Sequence, residues 1–205
     1  MELVRPTAQH LVSYTSALKR GWSPDNVRGQ ARAREELYDI HHHPQAFLTS
    51  MDDAAGAGPR IVLPDGSTVP RIPGLTRWIW DGEFCGSINL RWQVGTTALP
   101  DHVPGHIGYA VVPWKQRRGC ASFALASMLA QAAELGLSEL EITTDPDNIA
   151  SQKVISRCGG VLVEEFFKPV QCGGGKSLRF RIVLESHCGV QFMRPAPVPR
   201  SIVAA

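Results

Sequence analysis

The hydrophobic positions of this chain change period several times, and each change marks an element. Residues 2–5, ELVR, form a short extended run. Behind it Leu11, Tyr14 and Leu18 recur at spacings of three and four, which predicts a helix capped by Thr7. A second helix is predicted over residues 30–41, QARAREELYDIH; Pro44 stops it and opens a further turn, PQAFLTSM. Residues 54–75 read as loop, apart from a small ribbon IVLPDGSTV that turns at Pro64-Asp65-Gly66. Residues 77–80 and 83–90 then read as a hairpin across Asp81-Gly82, a pair suited to a two-residue type I′ turn. In its second arm Phe84, Gly86, Ile88, Leu90 and Trp92 alternate with Glu83, Cys85, Ser87, Asn89 and Arg91. That period predicts a strand with one buried face.

A Pro- and Gly-containing loop, 93–105, precedes a strand over 106–112. The next helix places Ala121, Ala124, Leu125, Met128, Ala132 and Leu135 on one face and ends at Gly136. A strand follows over 139–144, then a helix over 150–157 capped by Asp147 or Asn148 and closed by Gly159-Gly160. Strands over 161–167 and 178–184, joined by Gly173-Gly174-Gly175, complete the pattern. The expected fold class is α/β, a mixed α+β sheet in a single domain over residues 1–185. Residues 186–205, rich in Pro and small side chains, are expected to be a peripheral or disordered tail.

Composition removes several classes. The formal net charge of +2 is too small to argue for nucleic acid. No apolar run is long enough for a membrane span, and MELVRPTAQH has no secretory h-region. The five cysteines are odd in number and form no C-x-x-C pair. That spacing speaks against a disulfide framework and against a zinc site, and for reduced thiols in a cytoplasmic protein. No metal is expected.

Local chemistry concentrates in VVPWKQRRGCASFALASML, residues 111–129. A helix start presents unpaired N–H groups and the positive end of the helix dipole. Gly119 lets a ligand approach the backbone, and Arg117 and Arg118 add charge there. A phosphate or diphosphate fits such a place, and so does a plain tight turn with solvated basic residues. The usual nucleotide loops, G-x-x-x-x-G-K-[ST] and G-x-G-x-x-G, are absent.

Gln116-Arg117-Arg118-Gly119-Cys120-Ala121 fits a Q/R-x-x-G-x-G/A pattern between a strand and a helix. Downstream, Asn148-Ile149-Ala150-Ser151, with Val154-Ile155 and Gly159, fits an N-x-x-S/A segment. With these two motifs in order, residues 2–184 resemble the GNAT superfamily of acyl-CoA-dependent N-acetyltransferases. They are most similar to its ribosomal-protein acetyltransferase type and to bacterial chains known only as predicted acetyltransferases. The resemblance implies a mostly antiparallel sheet splayed between strands 106–112 and 139–144, with helices on both faces. It implies that the backbone of Ala110, Val111 and Val112 pairs with the pantetheine arm as an added strand. Backbone amides of Arg117, Arg118, Gly119, Cys120, Ala121 and Ser122 would hold the diphosphate, with Gln116 also among the cofactor-binding residues, while Asn148 and Ser151 would contact the pantetheine near the thioester.

The implied reaction moves an acetyl group from acetyl-CoA to a small-molecule or peptide primary amine by direct attack. The other reading is an acyl-CoA-binding sensor without turnover. Many relatives place a tyrosine seven residues after the asparagine and some a glutamate five before it; Ile155 and Thr143 stand there. His106, with Tyr109 beside it, is the alternative general base, or else a hydrogen-bonded histidine at a strand start. Ser151 is the candidate for thiolate protonation, or a capping serine. Acceptor choice is expected in loops 54–75 and 93–105. Trp78, Trp80 and Trp92 could line an acceptor pocket or belong to the core. Asp145 and Asp147 could meet a cationic amine or cap a turn. Consecutive side chains on a helix diverge by about 100°, so His41-His42-His43 do not converge on one ion. The chain is expected to be a monomer or homodimer.

Overall fold

Among the described residues the chain builds two larger antiparallel sheets, which touch along one short seam and then diverge, and a small two-stranded ribbon. The structure is a computed structural model that describes residues 1–63, 66–169 and 173–184. Pro64 and Asp65 of the expected ribbon turn, Cys172, Cys188 and the 186–205 tail lie outside those residues. In chain order the elements are β1 (Glu2–Val4), α1 (Leu11–Lys19), α2 (Gln30–His42), α3 (Pro44–Thr49), β2 (Asp52–Asp53), β3 (Ile61–Val62), β4 (Thr68–Val69), β5 (Gly74–Trp80), β6 (Phe84–Arg91), β7 (Ile107–Val111), α4 (Cys120–Glu134), β8 (Glu139–Thr144), α5 (Ile149–Arg157), β9 (Val161–Phe167) and β10 (Lys176–Val183). One sheet runs β1-β5-β6-β7 with β2 beside β5; the other runs β8-β10-β9. Among the described residues, no helix is long and apolar enough to cross a membrane.

Helices cover both faces of the first sheet. α4 supplies Ala124, Leu125, Met128 and Ala132 to a core that also takes Ile79, Ile88 and Leu90 from the first sheet and Leu140, Ile142, Phe180 and Ile182 from the second. One helix therefore seals both sheets, and Leu125 and Met128, fully buried, each contribute about 1.5–3 kcal/mol. On the other face Tyr14, Leu18, Phe47 and Leu48 from α1 and α3 pack against Trp78 and Phe84. Trp78 and Trp92 are thus core residues, and Trp80 packs at the margin of that second cluster. Glu36 of α2 is buried beneath α1, where it accepts hydrogen bonds from the Tyr14 hydroxyl and from Arg32.

The hairpin departs from the expected two-residue turn. Trp80 pairs with Phe84, so Asp81, Gly82 and Glu83 form the loop, and only Gly82 of the three has positive φ. The pairing shifts by one between Ile79–Gly86 and Trp80–Phe84, leaving Cys85 as a bulge. The bulge inverts the facing of β6. Phe84 joins the α1 side, while Ile88 and Leu90 join the α4 side. Both faces of β6 are buried, because helices lie on each. The displaced amide of Phe84 donates to Ser13 Oγ at 2.8 Å, which ties α1 to the strand.

The seam between the sheets lies at His106, just before β7. Its amide donates to the Glu141 carbonyl at 2.7 Å, and the Glu141 amide returns a bond to His106 Nδ1 at 2.9 Å. A continuing parallel ladder would give that second amide to a backbone carbonyl of the neighbouring strand. The imidazole takes it instead, and beyond His106 strands β7 and β8 share no pairing. The splay therefore begins at a named side chain, and it leaves the outer edge of β7 open.

Gly86 is held closely against β7. A β-carbon there would stand 2.3 Å from the Ala110 carbonyl oxygen, at φ +156°. Gly86→Ala is expected to lower the unfolding free energy by about 2 kcal/mol or more in urea titrations. An unchanged midpoint would contradict this packing.

Candidate functional site

The open edge of β7 forms one wall of a cleft of about 1170 Å³ whose lining includes the first turns of α4 and α5. Its floor follows from the register of β6 and β7. Arg91 donates to His106 O and Val112 donates to Cys85 O, so even-numbered residues of this stretch bond inward to β6. By alternation the N–H and C=O groups of Tyr109 and Val111 face outward. This refines the expectation for 110–112. Val111 stands at the open edge, whereas the backbone of Ala110 and Val112 lies within the sheet. The Gln116 side-chain amide reaches the Val111 carbonyl at 3.4 Å.

At one end of that edge the chain turns into α4 through two left-handed residues, Arg117 at φ 60° and Gly119 at φ 82°. The non-glycine outlier costs about 1–3 kcal/mol unless its surroundings hold it, and such strain concentrates at ligand sites. Among the described residues, no backbone carbonyl accepts the amides of residues 117–122. The first bond of α4 is Phe123 N–H to Gly119 O, at 2.9 Å. Nothing lies within 4 Å of a β-carbon built on Gly119, so the cradle is open. Gln116, Arg117, Gly119, Cys120, Ala121 and Ser122 all line the cleft; Arg118 does not, and is exposed. The Cys120 thiol is buried and donates to Lys115 O at 3.4 Å, so this residue meets the cleft through its backbone.

Lys115 sits apart from its basic neighbours. It is 7% exposed and pairs with Asp81 at 3.0 Å and Glu83 at 2.7 Å. Hydrogen bonds that it donates to Glu83 and then to Asp81 raise its pKa, so it stays charged and is committed to the hairpin loop.

Opposite the cradle Asn148 caps α5, its side chain accepting from Ser151 N at 3.1 Å. Ser151 Oγ lies 2.7 Å from the Tyr109 hydroxyl. Burial raises the Tyr109 pKa, against the lowering effect of the Ser151 bond, so the phenol remains a proton donor. Asn148, Ser151 and Tyr109 all line the cleft. Ile155, in place of the tyrosine that the resemblance would put on α5, is fully buried in the core.

His106 is not brought to this place. It is 1% exposed, outside the cleft lining, and its Nδ1 lone pair is taken by the Glu141 amide. That bond requires the proton on Nε2, whose atom is also buried. No lone pair is left for an incoming amine, so the general-base expectation for His106 gives way to its role at the seam.

The second wall was not legible as a motif. Gly21, Trp22, Ser23, Asp25, Asn26, Gly29 and Gln30, between α1 and α2, face the cradle, and Gln30 Nε2 closes this segment on Gly21 O at 2.6 Å. Among the described residues, none of 54–75 or 93–105 lines the cleft. Asp145 pairs with Lys168 at 2.6 Å and, like Asp147, lies outside the lining. Among the described residues, no group of His, Cys, Asp and Glu is arranged to hold a metal ion.

Residues 71–161 match the model of the acetyltransferase (GNAT) domain. Solved structures extend the likeness to most of the chain. A Vibrio cholerae protein described as a ribosomal-protein-serine acetyltransferase aligns at 16% identity and TM-score 0.56, covering 88% of this chain and 92% of its own. RimL, the ribosomal L7/L12 α-N-protein acetyltransferase solved with coenzyme A, aligns at 14% identity and TM-score 0.55, covering 90% and 94%. MccE, a microcin C7 self-immunity acetyltransferase solved with acetyl-CoA and AMP, aligns at 13% and 0.52, covering 88% and 91%. At these identities the likeness is one of fold. No protein of curated function matches the chain by sequence.

Burial, the largest cause, lowers the His106 pKa below its ordinary value. The folded chain therefore takes up this proton less readily than the unfolded chain. The corresponding stability is present above about pH 6.5 and is lost as the pH falls below it. Urea unfolding at pH 7.5 and pH 5 is expected to show a smaller acid loss in His106→Asn than in wild type. An equal loss would contradict a buried neutral imidazole.

Proposed function

We propose, for a chain whose residues 71–161 match the acetyltransferase (GNAT) domain model, that the cleft takes acetyl-CoA and passes its acetyl group directly to a primary amine. The observation that carries this reading is one continuous surface. The outward edge of Tyr109 and Val111 runs into the amide cradle at 117–122, and the Tyr109–Ser151 pair stands in the same cleft. An amide-bearing chain such as pantetheine can add to that edge as a further strand. The cradle's free amides, the α4 dipole and Arg117 suit a diphosphate. Acetyl-CoA is a co-substrate here.

Within that arrangement the chain's own groups have separate tasks. An outward N–H of β7 is a donor for the oxygen on which charge develops. Ser151 Oγ gives a proton to the departing sulfur, and the Tyr109 hydroxyl, bonded to it at 2.7 Å, holds and re-supplies it. The acceptor enters past residues 21–30 and loses its proton to solvent, since His106 is sealed away. RimL acts on the α-amino group of a ribosomal protein, and a primary amine of a peptide or small molecule is the acceptor class proposed here. Residues 1–185 are read as one catalytic unit, as a monomer or homodimer. The free thiols Cys85, Cys120 and Cys158 support a cytoplasmic place of action.

Thiol release from acetyl-CoA with an amine panel tests the reading. Ser151→Ala is expected to lower kcat by about tenfold to hundredfold, at the low end of general-acid contributions because a thiolate leaves readily. The KM for acetyl-CoA should stay within about threefold. An unchanged kcat would remove Ser151 from the chemistry; acetyl-CoA binding without thiol release across the panel would return the sensor reading. A second profile bears on the proton. With no buried base, kcat/KM should keep rising with pH towards the acceptor's own pKa, and a plateau near pH 6.5 would contradict this.

A further inference from the structure

The wall at 21–30 begins where α1 ends, and the helix stops there in a Schellman motif. Gly21 N donates to Leu18 O at 3.0 Å and Trp22 N to Ala17 O at 3.2 Å, with Gly21 at φ 92°. The chain therefore turns off the helix axis just past Arg20, the C-cap residue. Trp22 then roots the wall in the core. It is 6% exposed and stands edge-on to Tyr14 and Phe84, with ring centroids 5.9 and 5.0 Å away. Gln30 closes the neck on Gly21 O. These contacts fasten the wall to its own helices and to β6. They do not set its distance from the side of the cleft that leads to the cradle.

Arg20 reaches that side. Its guanidinium carbon lies over the Trp114 ring, 3.4 Å from the centroid. Trp114 belongs to the Pro113–Lys115 turn between β7 and the cradle, and Lys115 ties that turn to Asp81 and Glu83. Pro113 and Lys115, on either side of Trp114, line the cleft, and so does Gly21 beside Arg20. The stack thus bridges the two walls just behind their linings. The dipole of α1 favours a cation at its C-terminus, which accounts for a charge at position 20 but not for its place on an indole. Among the described residues, no carboxylate pairs with Arg20. Trp114 is half-buried against the cluster of Tyr14, Trp22 and Phe84, whereas Arg20 is exposed. The ring is the fixed partner, and the arginine is brought to it.

Resting on the acetyl-transfer reading above, we infer that Arg20 is a positioning residue for the acceptor. By stacking on Trp114 it holds the 21–30 wall at a set distance from the edge of β7, and so aligns the incoming amine with the thioester. Arg20 itself lies outside the cleft lining, so it acts through the wall that starts at Gly21. Attack on a carbonyl is sensitive to such placement, since an error of about 1 Å can cost about a hundredfold in rate.

Initial rates of thiol release, with the panel amine that wild type turns over fastest, test this role. Arg20 is exposed, so Arg20→Gln leaves the core intact. That variant should lower kcat/KM for the amine by about threefold to thirtyfold, the scale of one cation–π contact. Its Kd for acetyl-CoA, from isothermal titration, should stay within about twofold of wild type, a split that a general loss of structure would not give. In a Trp114→Leu background the same change should cost less than about twofold, because the partner ring is gone. An unchanged kcat/KM in Arg20→Gln, an equal loss with and without Trp114, or a matching loss of acetyl-CoA affinity would each overturn the positioning role while leaving acetyl transfer in place. A wild type that releases no thiol with any amine of the panel would overturn the transfer reading and this role together.

Discussion

The reciprocal pair of hydrogen bonds between His106 and Glu141 is the constraint from which the cleft follows. Strands β7 and β8 lie side by side with α4 crossing between them, an arrangement in which a parallel ladder would ordinarily continue. One backbone bond forms, and the imidazole then occupies the next donor. A buried side chain has replaced a backbone acceptor, so the seam is satisfied and yet cannot propagate. Everything downstream of it on β7 keeps an unpaired edge. An unpaired edge is usually a liability; here it lies inside a concave site, where an extended amide chain can pair with it.

The loop from Lys115 to Gly119 divides its charges by function. Lys115 turns inward and pairs with Asp81 and Glu83, which ties the β5–β6 hairpin loop to the turn that leads into the cradle. Arg117 adopts a left-handed conformation and Gly119 another, and alternation of this kind can turn successive amides towards one anion. The three positive charges of Lys115-Gln116-Arg117-Arg118 thus serve different ends: Lys115 is structural, Arg117 lines the cleft and Arg118 faces solvent.

Features set by neighbouring residues were legible in the sequence. The periodicity of α4, the Asn148 cap, the glycines after α4 and α5 and the glycine at the cradle all depend on contacts within a turn or two. Features set by distant contacts were not. The bulge at Cys85 changes which face Phe84 joins, but alternation reads straight across it because hydrophobic residues lie on both sides. His106 had the chemistry of a base and a position near the site; only its pairing with Glu141, thirty-five residues away in the chain, shows that its lone pair is used. The wall at 21–30 has no periodic pattern, and its place opposite the cradle depends on the packing of Tyr14, Trp22 and Phe84, with Glu36 buried beneath α1.

The central claim is that acetyl-CoA pairs with the open edge of β7 and seats its diphosphate on the α4 cradle. Amide hydrogen exchange, resolved by residue with and without acetyl-CoA, tests it most directly. The account predicts slowed exchange at Tyr109 or Val111 and across residues 117–122, with Ala110 and Val112 unchanged because β6 already holds them. Unchanged exchange along both the edge and the cradle at saturating acetyl-CoA would contradict it.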